Sequence, residues 1–322
     1  LHEVMELSDE ITVLRDGRVS GRTTPTHTSR ESLAAMMVGR PVELTRSAES
    51  VEVGTVGLAV RELRVMGDRD ALAIDGVSIE VRRGEIVGVA GVSGNGQREL
   101  AEAIFGLRPI TGGEVEVDGV ATSSTSPAAM RSMGLSYVPE ERMRDGAIGD
   151  FTVAENLVLV DHASAPIARR GLLDREAIVD RCQQLVDDFD VKTPGLDTPT
   201  RSLSGGNIQK VVIAREFSSG ASAYVVAQPT RGVDIGAAEY IHQQLLDRRR
   251  DGAAILLISE DLDEVLQLSD RVVVLLEGSI TGEVARGDAD VHHIGLLMAG
   301  VTDHDRTSPG SHGHQGPEGG AT

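Results

Sequence analysis

Four short apolar runs occur along this chain of 322 residues. They lie at 86–90, 224–227, 253–258 and 271–276. Each run is strand-sized and almost free of polar residues, which is typical of strands covered on both faces of a parallel sheet. Segments with helical periodicity alternate with the later runs. The pattern therefore predicts an α/β fold with a largely parallel sheet.

The segments between these runs predict further elements. Residues 58–83 are typical of antiparallel strands, with turns expected at Gly67-Asp-Arg and at Asp75-Gly. Another strand is predicted at 114–117, before an Asp-Gly turn. From Phe151 to about Pro199 helical periodicity dominates, so this stretch is predicted to be mainly helical.

The beginning of the chain repeats a segment near its end. Leu1 to Gly21 aligns without a gap with Leu262 to Gly282, and about ten of the twenty-one pairs are identical. The register continues without a gap through Met37-Val-Gly39, which pairs with Met298-Ala-Gly300. The chain is therefore expected to be a fragment of a tandem duplication that lacks most of its first copy.

The repeat also defines the predicted domains. Residues 1–40 are the expected end of a first module, and residues 58–301 a complete second module. Residues 41–57 form a polar linker between them. Residues 302–322 are rich in Gly, Pro, Ser and His and predict a disordered tail, so the three histidines of that tail are not taken as a metal site.

Composition excludes several classes of function. The net charge of −19 and the 2% of aromatic residues argue against a nucleic-acid partner, which requires basic patches and stacking platforms. No apolar run approaches the roughly 18–20 residues of a membrane span. The single cysteine, Cys182, cannot form an internal disulfide and fits a reducing cytoplasm.

A Ser-Gly-Gly-Asn run opens a predicted helix and carries the strongest chemical signal. Its residues are Ser204, Gly205, Gly206 and Asn207. Free N–H groups at a helix start attract anions, glycines let a phosphate approach the backbone, and a serine hydroxyl adds a donor. The run resembles the signature motif of ABC-type ATPases. The helix is predicted to bury Ile208, Val211, Val212 and Phe217 and to expose Gln209, Lys210, Arg215 and Glu216.

A glycine-rich loop follows the first apolar run, in the strand–loop–helix context of a phosphate-binding loop. It consists of Gly91, Val92, Ser93, Gly94, Asn95, Gly96, Gln97 and Arg98. A working loop has lysine at position 97 to neutralise phosphates and Ser or Thr at 98 to ligate Mg²⁺. Both are missing, which predicts nucleotide binding weakened by about one to two decades or more, because each charged contact is worth about 1.5–3 kcal/mol.

Three other positions are altered in the same sense. The strand ending at Ala227 and Gln228 resembles the one that ends in Asp-Glu in ABC-type ATPases, and loss of that general base costs about 10²–10⁴ in rate. Glu260 stands where the family has a phosphate-sensing histidine. Glu140 stands where the family has a glutamine near magnesium. Together these changes predict a site that is impaired in hydrolysis.

Nearly the whole chain resembles the tandem ATP-binding subunits of bacterial ABC importers for simple sugars and nucleosides. The resemblance implies a RecA-like core with an antiparallel β-subdomain and a helical subdomain over about residues 147–200. It also implies two ATP sites between cassettes. Ser204 to Asn207 would complete the active site in trans, with ATP and Mg²⁺ bound mainly by the first cassette. Gly91 to Arg98 would line the weak site, and Asp234 occupies the position of the dimer-bridging aspartate.

The resemblance further implies the partners and the location. They are the first cassette of the same polypeptide, membrane permease subunits and, indirectly, a substrate-binding protein, with the complex on the cytoplasmic face of the membrane. Residues 140–173 are expected to receive a permease helix. Short motifs such as Gly94-Asn-Gly-Gln97 look more like the nucleoside-importer branch of this family, which favours nucleoside uptake. A ribose-type sugar importer, a non-transport tandem ATPase and an inactive scaffold remain alternatives.

Overall fold

The computed structural model describes residues 2–15, 17–39, 51–68, 71–122 and 126–301. The helices are α1 (His2–Leu7), α2 (Arg30–Val38), α3 (Gln97–Ile104), α4 (Pro127–Ser132), α5 (Val153–Leu157), α6 (Arg175–Asp188), α7 (Gly205–Phe217), α8 (Ile235–Arg250), α9 (Leu262–Leu268) and α10 (Val291–Met298). The strands are β1 (Ile11–Arg15), β2 (Arg18–Thr23), β3 (Val56–Met66), β4 (Leu72–Arg82), β5 (Ile86–Ala90), β6 (Ile110–Val117), β7 (Val120–Thr122), β8 (Leu135–Val138), β9 (Ala168–Arg169), β10 (Leu172–Leu173), β11 (Ala223–Ala227), β12 (Ala254–Ile258), β13 (Arg271–Leu276) and β14 (Ser279–Ala285). The predicted tail and residues 41–50 of the predicted linker lie outside the described residues. The first strand of the second module begins at Val56, within the predicted linker.

A six-stranded sheet forms the centre of the molecule, in the order β14-β13-β5-β12-β11-β8. Its pairs are parallel except for β13–β14, which is antiparallel. Every residue of β5, β11 and β12 is buried, because α7 and α8 cover one face of the sheet and α3 with a second sheet covers the other. These strands carry almost only apolar side chains. The four apolar runs thus form strands of one largely parallel sheet, and the predicted α/β class is confirmed.

A second sheet, ordered β4-β3-β6-β7, is antiparallel and packs its apolar face on the central core. The predicted turn at Gly67 is present, where the Gly67 N–H donates to the Ala71 carbonyl at 2.8 Å. The predicted turn at Asp75-Gly76 is wrong, since both residues lie inside β4. The register skips Gly76, whose φ is +70°, so the dipeptide forms a β-bulge.

The stretch from 151 to 199 is helical only in part. A capping box between Thr152 and Glu155 starts α5, and the Asp174 side chain caps α6. Between these helices the chain forms turns and the two-residue strands β9 and β10. Helical periodicity alone did not reveal this interruption. Among the described residues, no helix is both long and apolar enough to cross a bilayer.

Helix α7 is buried on all sides, so the predicted exposure of its polar residues is wrong. Gln209, Lys210, Arg215 and Glu216 are each at most 6% exposed. Partners distant in sequence satisfy the charges: Lys210 Nζ lies 2.7 Å from an Asp190 oxygen, and Glu216 accepts hydrogen bonds from two other segments. The amphipathic pattern of a surface helix therefore does not apply to a helix that lies between other layers.

The repeated segments fold alike, element by element. The elements α1, β1, β2 and α2 recur in the same order as α9, β13, β14 and α10. Ser20 Oγ donates to the carbonyls of Val13 and Met36 at 3.4 and 3.0 Å. The equivalent Thr281 Oγ1 donates to the equivalent carbonyls, again at 3.4 and 3.0 Å. The two segments are copies of one structural unit.

The copies differ in what covers them. In the second copy β13 pairs with β5 as well as β14, whereas β1 pairs only with β2 among the described residues. Leu268 and Leu275 are each 1% exposed, but their equivalents Leu7 and Leu14 are 82% and 63% exposed. The first copy therefore presents an apolar surface and a strand edge that the second copy buries.

Candidate functional site

The loop between β5 and α3 is closed by one of its own side chains. Gln97 Oε1 accepts a hydrogen bond from the Asn95 N–H at 3.1 Å, and Gln97 Nε2 donates to the Val92 carbonyl at 2.9 Å. The side chain is buried, with Gln97 8% exposed. One of the amides that a phosphate-binding loop would direct at its ligand is therefore already occupied.

Glycines allow this loop to lie against the rest of the fold. At Gly96 φ is +104°, and a Cβ atom there would lie 2.5 Å from the Ala73 carbonyl oxygen. Asn95 anchors the loop to the β13–β14 turn, because its Oδ1 accepts from the Glu277 N–H at 2.9 Å and its carbonyl accepts from the Gly278 N–H at 3.0 Å. The loop thus keeps the backbone of a phosphate cradle.

Arg98, the last residue of the loop, does not supply phosphate chemistry. Arg98 Nε donates to Glu102 Oε1 at 2.7 Å, one turn further along α3. That hydrogen bond raises the pKa of Arg98. An arginine engaged with its own helix supplies neither the hydroxyl ligand that Mg²⁺ needs nor a charge aimed into the loop.

A cavity of about 200 Å³ gathers most of the predicted weak-site residues at the carboxyl ends of the parallel strands. The predicted residues on its wall are Ser93, Gly94, Gly96, Gln97, Arg98, Glu140, Ala227, Gln228 and Glu260. Glu99, Tyr137 and Ile258 also line it and were not predicted. Ile258 is the last residue of β12 and Tyr137 is the last but one of β8, so their position near the ends of buried strands is the sequence signal that could have found them. Gly91, Val92 and Asn95 belong to the loop but do not line the cavity, and Asp234 lies elsewhere.

The electrostatics of this cavity oppose a polyphosphate. Glu99, Glu140 and Glu260 contribute carboxylates, and no lysine lies on its wall among the described residues. Burial, together with the nearby charge of Glu260, raises the pKa of Glu140, while its ion pair with Arg231 acts in the opposite direction. Gln228 Oε1 accepts from the backbone N–H of Glu260 at 3.3 Å, which holds the Gln228 side chain at the cavity edge.

The start of α7 is a well-formed helix cap. Ser204 Oγ accepts from Asn207 Nδ2 at 2.8 Å and from the Asn207 N–H at 3.4 Å. Asn207 Oδ1 accepts from the Lys192 N–H at 2.8 Å, so this side chain bridges two segments. A Cβ at Gly206 would lie 3.3 Å from an Asp234 carboxylate oxygen, which puts Asp234 next to the Ser-Gly-Gly run.

A second cavity, of about 590 Å³, opens on this helix start. Gly206, Asn207 and Asp234 line it together with Leu14 and Arg15 of the first repeat. Arg15 precedes the turn that joins β1 to β2. In the second repeat the equivalent turn, at 277–278, holds the glycine-rich loop. Gly206 and Asn207 therefore share a cavity with the end of β1, whose counterpart β13 leads into a turn that holds the glycine-rich loop.

Among the described residues, no group of three or more His, Cys, Asp or Glu side chains is arranged to hold a metal ion. The donors near the weak site do not fit a magnesium shell either. Ala227 has no side-chain donor atom, Arg98 is a cation, and Glu140 is engaged by Arg231. The residues of this chain alone therefore do not fit bound Mg²⁺ at that site.

The sheet order, the strand–loop–helix and the capped Ser-Gly-Gly run together define an ATP-binding cassette. Residues 74–231 match the ABC transporter family, and the chain belongs to that family. A nucleotide-free ATP-binding cassette from an ABC transporter superposes with a TM-score of 0.62, covering 76% of this chain and 96% of that chain at 23% identity. At that identity the likeness shows the fold alone.

Relatives with longer chains extend the similarity. The glucose import ATP-binding protein of Haloferax volcanii is 43% identical over 310 residues, which is 96% of this chain. The nucleoside import ATP-binding protein of Lactococcus lactis is 38% identical over 300 residues, or 93% of this chain. The chain spans only 56% and 59% of the lengths of these two relatives.

Proposed function

We propose that this chain belongs to the ATP-binding subunit of an importer and that its cassette acts mainly through its signature motif. Ser204, Gly205, Gly206 and Asn207 would contact the γ-phosphate of ATP held, with Mg²⁺, by another cassette. The observation that carries the proposal is the contrast between the start of α7 and the glycine-rich loop. The helix start is intact, whereas Gln97 closes the loop of the same cassette.

The first repeat supports a first cassette as the partner. The open edge of β1 and the exposed Leu7 and Leu14 match surfaces that the second repeat buries against β5 and its neighbours. A loop held on the β1–β2 turn, as Asn95 is held on the turn at 277–278, would lie beside Gly206 and Asn207. That arrangement would form an ATP site between the two cassettes of one polypeptide.

The cassette's own site is proposed to be hydrolytically impaired. Ala227 and Gln228 cannot polarise water, and the carboxylates of Glu140 and Glu260 face the space a triphosphate would occupy. ATP binding there would depend on the loop backbone alone. Asp234 would act at the cassette interface, since it caps α8 and lies against Gly206.

The segment 140–173 is proposed to receive a cytoplasmic helix of a permease, on the cytoplasmic face of the cell membrane. This segment exposes an unusual number of large apolar side chains, which mark interaction surfaces. They are Met143, Ile148, Phe151, Leu172 and Leu173, exposed by 38% to 76%. The segment also begins at the nucleotide-proximal Glu140, so closure around ATP can move it.

Nucleosides are the proposed cargo, delivered by a substrate-binding protein. The similarity to a nucleoside import ATP-binding protein agrees with the loop texture. A sugar importer is the second candidate, because the glucose import relative is 43% identical. Uptake of radiolabelled nucleoside and sugar by cells that produce the full-length transporter separates the two candidates.

Paired substitutions in the full-length protein test the assignment of the sites. Ser204→Ala should lower ATP hydrolysis and uptake by about 10- to 150-fold, because a hydrogen bond to a charged group contributes about 1.5–3 kcal/mol. Gln97→Ala should be tolerated better. Ser126→Ala is the matched control, because Ser126 caps α4 in the same way, away from both cavities.

Hydrolysis and uptake that survive Ser204→Ala and collapse with Gln97→Ala would reverse the assignment. Equal losses with Ser204→Ala and Ser126→Ala would attribute the effect to helix capping alone. Loss of a cap costs about 1 kcal/mol of stability. Thermal unfolding of each variant therefore accompanies the activity measurements.

A further inference from the structure

The guanidinium of Arg142 joins three segments of the cassette. Its Nη1 donates to the Arg231 carbonyl at 2.6 Å, and its Nη2 donates to the Gly232 carbonyl at 3.1 Å. A Cβ at Gly205 would lie 2.8 Å from Arg142 Nη2. The same side chain therefore holds the loop that leads to Asp234 and lies against the start of α7.

The contact is reciprocal. The Arg231 side chain pairs with Glu140, while Arg142 holds the main chain of Arg231 and Gly232. We call these four residues the clasp. Among the described residues no carboxylate pairs with Arg142, so its charge is used on two neutral carbonyls. A charged donor placed on two adjacent carbonyls fixes the loop backbone rather than one side chain.

Gly232 of the clasp and the neighbouring Gly205 have a packing reason to be glycine. Gly232 has φ of +64°, and a Cβ there would lie 3.4 Å from Arg142 Nη2. A Cβ at Gly205 would also approach the Gly232 carbonyl oxygen to 3.4 Å. A side chain at position 205 would displace the guanidinium or the loop. The first glycine of the Ser-Gly-Gly run therefore has a role within its own cassette, besides any contact with ATP.

The clasp connects the weak site and the proposed permease segment with the Asp234 loop. Glu140 lines the weak site, and Arg142 begins the turn Arg142–Gly146 that leads into the proposed permease segment. Two residues beyond Gly232, Asp234 reaches Gly206. A displacement of residues 140–146 must therefore move the Asp234 loop, or break two hydrogen bonds.

We propose that Arg142 is a positioning residue that transmits movement of the 140–146 turn to Asp234 and to the Ser204–Asn207 run. The functional half of the proposal, the expected effect on ATP hydrolysis, rests on the proposed function. The structural half, the positioning of the Asp234 loop by Arg142, depends only on contacts within this chain. Neither phosphate binding nor helix packing explains an arginine at this position in the turn after β8, whereas a positioning role does.

The structural half is tested by hydrogen exchange of the purified chain. Arg142→Ala should speed amide exchange in residues 231–237 and 204–208 by about fivefold or more, because local opening governs exchange. Arg250→Ala is the matched control: this arginine lies at the far end of α8, and its side chain is 56% exposed. Equal exchange in both variants, or faster exchange across the whole chain, would overturn the proposal.

The functional half is tested in the full-length protein assembled with its permease. Arg142→Ala should lower kcat for ATP by about tenfold, within the usual range of coupling between sites, with KM for ATP unchanged. Arg142→Lys should restore most of the rate, because an ammonium can still reach the two carbonyls. Glu140→Gln combined with Arg142→Ala should cost little more than Arg142→Ala alone, since both disrupt one clasp.

The possible failures are distinguishable. If the unmodified complex hydrolyses ATP and Arg142→Ala hydrolyses it equally well, the positioning role is wrong and the proposed function stands. If the unmodified complex does not hydrolyse ATP, the proposed function and the transmission role both fail. A rise in KM matched by Arg250→Ala would also contradict the positioning role, because it would reflect general loosening of the fold.

Discussion

At the scale of single residues, Glu216 shows how this fold holds charge in its interior. It is fully buried on α7, with oxygens 2.9 Å from Arg131 Nη1 and 2.9 Å from Arg215 Nε. Ser136 Oγ donates to it at 2.6 Å. Burial alone would raise the pKa of Glu216, but the two arginines and the hydroxyl outweigh it, so the pKa lies below its usual value.

Replacing Glu216 by Gln should therefore destabilise the chain in a pH-dependent way. We expect a loss of about 3 kcal/mol at pH 7, since removing one partner of a buried ion pair strands the other. A carboxylate whose pKa is lowered by folding stabilises the fold above its unfolded pKa of about 4.3 and loses this effect as the pH falls. Urea unfolding between pH 7 and pH 3 should show the difference from wild type shrinking below about pH 4.

Glu80→Gln is the control for this prediction. Glu80 also pairs with an arginine, Arg61, but its side chain is 46% exposed. We expect a change of less than about 0.5 kcal/mol, because exposed pairs contribute little. A Glu216→Gln variant that is as stable as Glu80→Gln would show that the buried pair contributes no more than an exposed one.

At the scale of elements, the repeat provides two copies of one unit in different surroundings. Leu14 and Leu275 occupy the same position in β1 and β13, at 63% and 1% exposure. Sequence and local structure are thus nearly constant while burial changes. If the same substitution changes the free energy of unfolding by different amounts in β1 and β13, the difference measures what burial against β5 and its neighbours contributes.

Alanine at these two positions should have very different costs. Leu275→Ala should destabilise the chain by about 2–5 kcal/mol, as is usual for a core leucine. Leu14→Ala should cost less than about 0.5 kcal/mol, as at exposed positions. Chemical denaturation of both variants gives the comparison. A comparable loss at Leu14 would mean that β1 is covered in solution, by a second copy of the chain or by residues outside those described.

The sequence predicted the elements whose pattern is local and missed those set by distant partners. The buried strands follow from unbroken apolar runs, and the loop residues around Gln97 follow from their glycines. The bulge at Gly76 depends on its register with β3, and the burial of Glu216 depends on Arg131, 85 positions away. No periodicity within one helix or strand reveals such pairings. The closure of the loop likewise depends on the conformation of the Gln97 side chain, which the sequence of the loop does not determine.

At the scale of the whole molecule, the chain combines a well-capped helix start at Ser204 with a glycine-rich loop that Gln97 closes. Gly206 and Asn207 line a cavity shared with the first repeat, while Gln97 fills the glycine-rich loop of the second. In the proposed function, hydrolysis requires both halves of a site from different cassettes. In that proposal, the described residues would contribute the signature half of one site and the weakened loop half of the other.

The purified chain should therefore have no appreciable ATPase activity. Turnover should stay well below the roughly 1 s⁻¹ at the low end of typical enzymes, measured as phosphate release. Gln97→Lys alone should not restore it, because Ala227, Gln228 and Glu260 remain at the same cavity. Turnover at or above that rate by either protein would show that the second cassette hydrolyses ATP without the first.

The order of the central sheet also constrains how the chain reaches its native state. Strand β5 lies in the middle of the sheet, yet its partners β12 and β13 come far later, and the bond from the Ile86 N–H to Asp270 spans 184 positions. Closing such long loops before any contact compensates for the lost entropy makes folding slow. The glycine-rich loop takes its final anchors, at Glu277 and Gly278, only when this strand arrangement is complete. We therefore expect the glycine-rich loop to reach its final conformation late in folding.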